Sequence, residues 1–322
     1  MMDEFSFIDS IRQQFYRQPT LMKGIGDDAA VFRQHTQDIV TAVDTFVEDI
    51  HFSKNTMEAY HVGYRALAAN ISDLAAMGAS PAFYLVSIVI PESWSERELA
   101  HIFTGMKELA SLYKMDLIGG DTVSGNELIL SVTVIGYADK GKARYRSTAR
   151  DGDIAFVTGT LGDSRAGFHI LTSEGDYRDA RYFIERHQSP SPRVEFAKGL
   201  NKLSRTALND ISDGLASEAT EIAEASQVTI TIHDDYIPTS KSFNQFPEDL
   251  QHKWKLYGGE DFELLGTVSS SDWEIVKEIA DETNTKISKI GYVTVDADYG
   301  GIFLVQHNKR ERIYKKGYTH LK

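Results

Sequence analysis

The chain has 322 residues, of which 42% are hydrophobic and 25% are charged, which is typical of one large or two ordinary globular domains with buried cores. A formal net charge of -13 disfavours anionic partners, so we expect neither nucleic acid nor a membrane surface as a partner. The absence of cysteine excludes disulfides, thiolate catalysis and thiolate metal sites, and it leaves hard metals with oxygen ligands open.

The N-terminal sequence MMDEFSFIDS lacks the basic region and apolar core of a targeting signal. The longest apolar run, from Ala82 to Ile90, is far too short to span a bilayer. We therefore expect a cytoplasmic protein.

Strands and helices alternate in the first half of the chain. Ile39–Val43 and Phe83–Ile90 are β-branched or aromatic runs that predict strands. Between them, apolar residues at helical spacing predict a helix over Thr56–Met77, with Thr56 as its N-cap and Gly78 at its end. Two further elements are predicted downstream: a helix over Ser95–Tyr113, which leads through Met115–Ile118 into GGDT, and a strand over Glu127–Ala138.

A basic segment, DKGKARYRSTARD at 139–151, separates the two halves, since it holds five basic residues and little that could form a core. It predicts an N-terminal domain over 1–140 and a C-terminal domain over 141–322. The second half restarts the alternation, so we expect an α/β (α+β) fold. Its predicted elements are strands over Asp153–Thr158, Val228–Ile232 and Phe262–Val268, helices over Gly162–Leu171, Gly214–Ser226 and Ser270–Glu282, and a stiff connector at Gln188–Arg193 before another helix.

Acidic residues recur where apolar segments meet glycine or small residues. The motifs are GIGDDAAVF, VDTFVEDIH, NISDLAAMGA, IGGDTVSG, NDISDGL and YGGEDFELL. Several carboxylates in one cleft need divalent cations, and an oxygen-only ligand set favours Mg2+ and therefore phosphates. The candidate ligands are Asp28, Asp44, Asp73, Asp121, Asp210 and Asp213.

Each acidic motif also has a structural interpretation. A single aspartate in GGDT or ISDG is usually a turn former or an N-cap, and Asp213 remains a candidate N-cap for the helix after it. Asp27 and Asp28 are adjacent, and at about 5 Å their repulsion is about 3 kcal/mol, so a positive partner is expected nearby. We take Asp28 as the ligand and Asp27 as its solvated or hydrogen-bonded neighbour. His51 is more often a polar residue at a strand end than a functional one.

Other catalytic signatures are absent from the sequence. It contains no G-x-x-x-x-G-K-[ST] loop, no H-R-D catalytic loop and no H-E-x-x-H, and the loop TGTLGDSRAG at 158–167 lacks the dinucleotide fingerprint. No Ser, His and Asp order of a hydrolase is evident. Metal-assisted phosphate chemistry is therefore the interpretation that the motifs support best.

The acidic motifs, in their order along the chain and ending with KGYTH at 316–320, resemble those of bacterial thiamine-monophosphate kinase, within the aminoimidazole-ribonucleotide synthetase-like superfamily. VDTFVEDIHF and GGEDFEL are the versions most similar to that family. Selenophosphate synthetase, another member of the superfamily, would be expected to have a reactive Cys or Sec near its N-terminus, and this chain has no cysteine. The resemblance implies a two-domain fold whose N-terminal mixed sheets pair across a homodimer, and ATP-dependent phosphorylation of thiamine monophosphate to thiamine diphosphate.

The resemblance also implies a set of site residues. Where family members often have Ser-Thr-Asp, this chain has Ala42, Val43 and Asp44, so Ala42 and Val43 offer only backbone carbonyl oxygens. The implied ligands of several Mg2+ ions are Asp28, Val43, Asp44, Asp73, Asp121, Asp210 and Asp213. The implied ATP contacts are Gly120, Asp121, Arg146, Ser212 and Tyr113. The implied substrate contacts are His51, Glu260 and Tyr318.

The acceptor in this reaction is itself a phosphate that is ionised near neutral pH, so no general base is expected among the side chains. Arg146 offers a fork suited to phosphate, Glu260 a countercharge for the thiazolium and Tyr318 a π-face. From the residues alone, GGED as a turn and KGY as a packing element are as well supported. Two other functions stay open: a related ATP-using synthetase acting on a purine precursor or carbamoyl group, and a non-catalytic nucleotide-binding protein.

Overall fold

The computed structural model describes residues 21–23, 27–33, 36–296 and 299–316. These residues form two mixed β-sheets and eight α-helices, which confirms the predicted α/β alternation. The first sheet is built from residues 21–139 and the second from residues 153–313. None of the described helices is both long enough and apolar enough to cross a membrane.

The first sheet has six strands in the order β1-β2-β3-β6-β4-β5, all antiparallel except for the parallel β4–β5 pair. Its strands are β1 (Leu21–Lys23), β2 (Ala30–Arg33), β3 (Gln37–Val47), β4 (Ser80–Ile90), β5 (Asp116–Ser124) and β6 (Ile129–Asp139). Helices α1 (Ala59–Ala76) and α2 (Glu96–Tyr113) connect β3 to β4 and β4 to β5.

Helix α1 lies against one face of the first sheet, and α2 packs on α1. Thirteen of the eighteen residues in α1 are buried, so this helix is the centre of the first core. The two helices cross so closely that a Cβ on Gly63 would lie 1.9 Å from the carbonyl oxygen of Ile102, and one on Gly105 would lie 2.0 Å from that of Tyr60. Only glycine fits this crossing.

The structure confirms the predicted start of α2 but not that of α1. Ser95 caps α2 as part of a capping box with Glu98. The predicted N-cap of α1 was wrong, because the helix begins at Ala59 and Thr56 instead forms a turn with Ser53, whose backbone N–H donates to the Thr56 hydroxyl. Because the Thr56 hydroxyl accepts this hydrogen bond within the turn, it does not cap the helix.

The second sheet has seven strands in the order β13-β12-β9-β11-β7-β10-β8, antiparallel except between β12 and β9. Its strands are β7 (Asp153–Thr158), β8 (Ala207–Asp210), β9 (Thr229–His233), β10 (Leu264–Ser269), β11 (Ile287–Thr294), β12 (Ile302–Gln306) and β13 (Lys309–Ile313). Its helices are α3 (Asp163–Thr172), α4 (Ala180–Gln188), α5 (Val194–Gly199), α6 (Leu215–Ser226), α7 (Glu248–Tyr257) and α8 (Trp273–Glu282).

The basic segment between the sheets is less solvated than its composition predicted. Lys140 and Arg150 are exposed, but Ala143 and Arg144 are buried. The Arg144 guanidinium donates to the carbonyl oxygens of Leu200 and Leu203, at 2.5 and 3.2 Å. These backbone acceptors bind one terminal nitrogen of the guanidinium, and the contact ties the segment to the second half of the chain.

Candidate active site

Three carboxylates from distant parts of the chain converge where the two halves meet. Asp28 precedes β2, Asp73 lies in the last turns of α1, and Asp210 ends β8. One oxygen from each lies within 4.8 Å of the others, a spacing that fits a shared cation. The contact between α1 and β8 brings Asp73 to Asp210, and Ser72 donates a 2.7 Å hydrogen bond to Asp210.

The protein alone leaves this acidic cluster short of positive charge. Burial raises the pKa of Asp28, and burial with repulsion from neighbouring carboxylates raises the pKa of Asp73 and Asp210 well above the ordinary value. Burial and the charge of Asp28 raise the pKa of Asp44 to about 6. Among the described residues, Asp28 Oδ2 is buried without a hydrogen-bond partner. The cluster is therefore ready to accept a cation.

Arg146 is the cation that the protein does supply. Its guanidinium contacts Asp28 at 2.8 Å and Glu221 at 3.2 Å, while its backbone N–H donates to Asp27 at 2.9 Å. Lys23 Nζ lies 2.5 Å from Asp27. The positive partner expected beside the Asp27–Asp28 pair is thus present, and Asp27 is hydrogen-bonded with a buried side chain instead of being solvated.

Most of the other predicted site residues line a cleft of about 580 Å³. Its lining includes six of the predicted site residues, namely Val43, Asp44, His51, Ser212, Asp213 and Glu260. The carboxylate of Asp44 feels the charges of Asp28, Asp73 and Asp210, so the acidic cluster adjoins this cleft. Residues from both halves of the chain therefore form one continuous site.

The end of β3 positions Asp44 and Val43 on opposite faces of the first sheet. Burial alternates along β3, so Asp44 shares the helix-covered side with Ala42, while the Val43 side chain is 58% exposed on the other side. The backbone N–H of Asp44 donates to Asn70 Oδ1 of α1 at 3.0 Å. Asn70 thus fixes the strand backbone beside the acidic cluster.

The other end of the cleft is built around a buried arginine. Arg65 of α1 contacts Glu260 at 2.6 Å and bonds to His187 through both its ring Nδ1, at 2.8 Å, and its carbonyl oxygen. Glu260 has a positive φ of 58°, and its N–H donates to the carbonyl oxygen of Ser212 at 2.6 Å. The His51 ring stacks on Phe46 at 5.2 Å. At this end of the cleft, the charges of Arg65 and Glu260 pair with each other.

The loop from β8 to α6 carries Ser212 and Asp213. The N-cap interpretation of Asp213 was wrong, because Gly214, which has no side chain, takes the N-cap position of α6. Instead, the backbone N–H of Asp213 donates to Glu218 at 2.9 Å, and burial raises the pKa of Glu218 well above its ordinary value. Asp213 consequently faces the cleft.

Asp121 and Gly120 lie away from the acidic cluster. Asp121 on β5 pairs in register with Ser87, Ser87 with Ser131, and Ser131 with Thr45, so this row occupies the face of the sheet opposite Asp44. Asp121 is exposed. At Gly120 a Cβ would lie 1.9 Å from the Val86 carbonyl oxygen, so strand packing already requires this glycine.

Another predicted contact, Tyr113, also lies outside the cleft. Tyr113, at the end of α2, donates its hydroxyl to the Pro192 carbonyl oxygen at 2.9 Å, and burial raises its pKa to about 12. It lines a separate cavity of about 400 Å³. Tyr318 lies outside the described residues.

The sequence motifs did not identify several residues that build the site. Arg65, His187, Arg165 and Phe168 line or brace the cleft, and the guanidinium of Arg165 lies 4.7 Å from the Phe168 ring centroid. Arg65 lies five residues before Asn70 on α1. An arginine within a largely apolar helical segment is the one signal in the sequence that could have identified it. The others come from α3 and α4, which carry no acidic motif.

This architecture and site belong to a defined class of proteins. Residues 26–138 match the family model "AIR synthase related protein, N-terminal domain", and residues 150–303 match "AIR synthase related protein, C-terminal domain". The chain is 45% identical to thiamine-monophosphate kinase of Bacillus subtilis over the full length of both chains, and 36% identical to that of Escherichia coli K12 over 92% of this chain and 91% of the relative. The chain therefore belongs to the thiamine-monophosphate kinase family.

Solved structures agree with this placement. A structure described as AaThiL complexed with AMPPCP and TMP matches with a TM-score of 0.85 and 29% identity, covering 99% of this chain and 97% of the other. Thiamine-monophosphate kinase from Stenotrophomonas maltophilia matches with a TM-score of 0.78 and 32% identity, covering 94% and 96%. The expected family and fold are confirmed.

Proposed function

We propose that the protein transfers the γ-phosphoryl group of ATP to thiamine monophosphate, giving thiamine diphosphate and ADP. The observation that carries the proposal is the cleft in which Asp28, Asp73 and Asp210 adjoin Asp44 at one end, with Glu260 at the other. The 45% identity to thiamine-monophosphate kinase of Bacillus subtilis supports this choice of substrates.

The acidic cluster fits Mg2+. Its donors are all carboxylate oxygens, they lie within 4.8 Å of one another, and Asp28 keeps a buried oxygen without a hydrogen-bond partner among the described residues. Asp28, Asp73 and Asp210 would hold one ion, and Asp44, Asp213 and the Val43 carbonyl are the further ligands that we propose. When bound, Mg2+ would neutralise phosphate charge in the transition state.

The protein's own residues bring two anionic reactants together. The acceptor phosphate oxygen forms a bond to the γ-phosphorus of ATP while the bond to the β,γ-bridging oxygen breaks, so ADP leaves with that electron pair. We propose that Arg146, held at the cluster by Asp28 and Glu221, contacts ATP phosphates together with Ser212. Because two carboxylates already hold the Arg146 guanidinium, the side chain loses little conformational entropy when it binds phosphate.

The opposite end of the cleft suits the cationic thiazolium ring. Glu260 is held by Arg65, yet 32% of its side chain stays exposed, so it can face the substrate. The rings of His51 and Phe168 line the same cleft and offer flat surfaces to an aromatic ligand. We propose Glu260 and His51 as substrate contacts, with Tyr318 as a further one.

We also propose a homodimer that forms through the first sheet. Strand β5 is an edge strand, all nine of its residues are exposed, and they include Leu117, Ile118 and Val123. Pairing of these sheets would cover the apolar edge and would bring Gly120, Asp121 and Tyr113 towards a second subunit's site. In this scheme residues 1–140 bind ATP and Mg2+ and dimerise, and residues 141–322 complete the site, in a cytoplasmic enzyme.

The test is a product assay on the purified protein. With ATP, Mg2+ and thiamine monophosphate, we expect ADP and thiamine diphosphate in equal amounts by chromatography. Unphosphorylated thiamine should give no thiamine diphosphate, because it lacks the acceptor phosphate. ADP release that does not depend on thiamine monophosphate would refute the proposal. Light scattering coupled to size exclusion separately tests the dimer.

A further inference from the structure

A second pocket, of about 790 Å³, lies in the second half of the chain and contains none of the residues assigned to the cleft. It is lined by residues 159–160 after β7, by Tyr182 and Arg186 of α4, by the loop at 239–242, and by Asn284 and Lys286 before β11. We call it the basic pocket because four cationic side chains line it: Arg186, Arg193, Lys241 and Lys286. Such a concentration of cations is unexpected in a chain with a net charge of -13.

The two arginines of the basic pocket share a single carboxylate. Arg193 donates two hydrogen bonds of 2.6 Å to Glu263, and Arg186 donates one of 2.8 Å to the same side chain. These cations keep the pKa of the buried Glu263 below its ordinary value despite the burial. Among the described residues, Arg186 Nε is buried without a hydrogen-bond partner. Glu263 therefore holds both guanidinium groups in place at the wall of the basic pocket.

The two lysines stand at the exposed rim of the basic pocket. In the described ranges, no carboxylate oxygen lies within 4.0 Å of the ammonium nitrogen of Lys241 or Lys286. The backbone of Lys286 is fixed, since its carbonyl oxygen accepts a 2.8 Å hydrogen bond from the N–H of Gly159. Both lysines are thus placed to meet an anion without first breaking an ion pair.

The acidic side chains near the pocket are engaged within the protein. Asp163 accepts hydrogen bonds from the hydroxyls of Thr160 at 2.6 Å, Ser240 at 2.7 Å and Tyr182 at 2.8 Å. Asp179 accepts one from Ser242. These hydroxyl donors order the wall of the pocket, and the Tyr182 ring remains 41% exposed beside it.

We propose that the basic pocket binds a small molecule that carries a phosphate or diphosphate group. Its volume lies in the range of ligand sites, roughly 300–1,000 Å³, and it exceeds what a bare phosphate needs. Two arginines and two lysines supply charge and directed donors for the anion, and the Tyr182 ring supplies a surface for a planar group. This proposal goes beyond the kinase reaction and does not depend on it.

Binding of inorganic pyrophosphate to the full chain in the presence of EDTA, measured by titration calorimetry, tests the proposal. Without divalent cations the acidic cluster repels pyrophosphate, so the basic pocket is the site that retains attraction for it. We expect one site per chain. The Lys241→Gln/Lys286→Gln variant should bind at least about tenfold more weakly, since two positive charges beside the anion are lost.

The matched control is the Lys107→Gln/Lys253→Gln variant, which loses the same charge at exposed positions outside both cavities. It should bind like the wild type. No binding to the wild-type chain, or an equal loss in both double variants, would overturn the proposal. The single variants at Lys241 and Lys286 repeat the test with smaller changes. The assay uses neither Mg2+ nor thiamine monophosphate, so its failure leaves the kinase proposal standing.

Discussion

The two ends of the cleft solve the problem of buried charge in different ways. At the Glu260 end, Arg65 pairs with the carboxylate at 2.6 Å and with His187 behind it. At the acidic end, Asp28 has Arg146, but Asp73 and Asp210 face further carboxylates and their pKa values are raised well above the ordinary value. At the Glu260 end the opposite charges pair within the protein, whereas the acidic end needs added cations.

This difference separates stability from function. Removing a charge from the Glu260 end leaves a buried partner unpaired, which costs stability. Removing a carboxylate from the acidic end relieves repulsion, so the folded protein should tolerate it while catalysis fails. Variants at the two ends therefore distinguish a site built for bound metal from an ordinary structural ion pair.

The largest expected effect is at the acidic end. Asp73→Asn should lower turnover by about 100- to 1,000-fold, because one negative ligand of the proposed cation is lost. Its melting temperature without Mg2+ should equal or exceed that of the wild type, since a repelling carboxylate is removed. Steady-state ADP release and thermal unfolding measure the two quantities.

The exposed Asp249 supplies the control for this variant, because Asp249→Asn removes the same charge from the surface of α7. It should keep the wild-type rate. A wild-type rate in Asp73→Asn would remove that residue from the site. A loss of folding in Asp73→Asn would instead show that the acidic end is structural, and the contrast between the two ends would disappear.

The next effect is at the Glu260 end. Arg65→Lys keeps the charge but cannot bond Glu260 and His187 together, so the KM for thiamine monophosphate should rise about tenfold while the KM for ATP changes little. The protein should also lose thermal stability. The double variant Arg65→Lys/Glu260→Gln should cost less than the sum of the single changes, because the two residues act as a pair. Additive losses would contradict this pairing.

A smaller effect is expected from metal addition. Mg2+ at about 100 times its dissociation constant should stabilise the wild type by about 2.7 kcal/mol, and Asp73→Asn should show much less of this gain. The gain should shrink as pH falls through about 6, because protons then occupy Asp44 and its raised neighbours and compete with the cation. Thermal unfolding with and without Mg2+ at several pH values measures it. A gain independent of pH would contradict the model.

The smallest effect concerns Asp261, which caps α3 by accepting from the N–H groups of Gly162 and Ser164. Burial raises its pKa to about 7. The folded state therefore binds more protons than the unfolded chain between about pH 4 and about pH 7, and stability falls as pH rises through that window.

Asp261→Asn removes this group from the titration. The stability of the variant relative to wild type should therefore rise across the same window, by on the order of 1 kcal/mol per pH unit. Denaturant unfolding at several pH values measures it. The exposed Asp235→Asn should show no such trend, and a flat difference for Asp261→Asn would contradict the raised pKa.

Local signals were enough to predict much of the fold. Ser95 with Glu98 marks the start of α2, and the apolar run Asp153–Thr158 coincides with β7, because capping and strand burial depend on neighbours in the sequence. The start of α1 and the burial of Arg144 were not predictable in this way. Both depend on partners fixed by tertiary structure, such as the carbonyl oxygens of Leu200 and Leu203.

The candidate site shows the same division. The recurrence of acidic residues where apolar segments meet glycine or small residues indicated Asp28, Asp73 and Asp210 from the sequence, and the fold places their oxygens together. The pairing of Arg65 with Glu260 could not be predicted, since the two residues are 195 positions apart in the sequence and no motif links them. Asp121 carries the motif but faces the opposite side of the first sheet, because register alone decides which face a strand residue occupies.

A crystal structure with Mn2+ and a non-hydrolysable ATP analogue tests the central claim most directly, because anomalous scattering locates the metal. We expect a peak at about 2.0–2.3 Å from oxygens of Asp28, Asp73 and Asp210, between the protein and the phosphates. Bound nucleotide with no metal at these three carboxylates would contradict it.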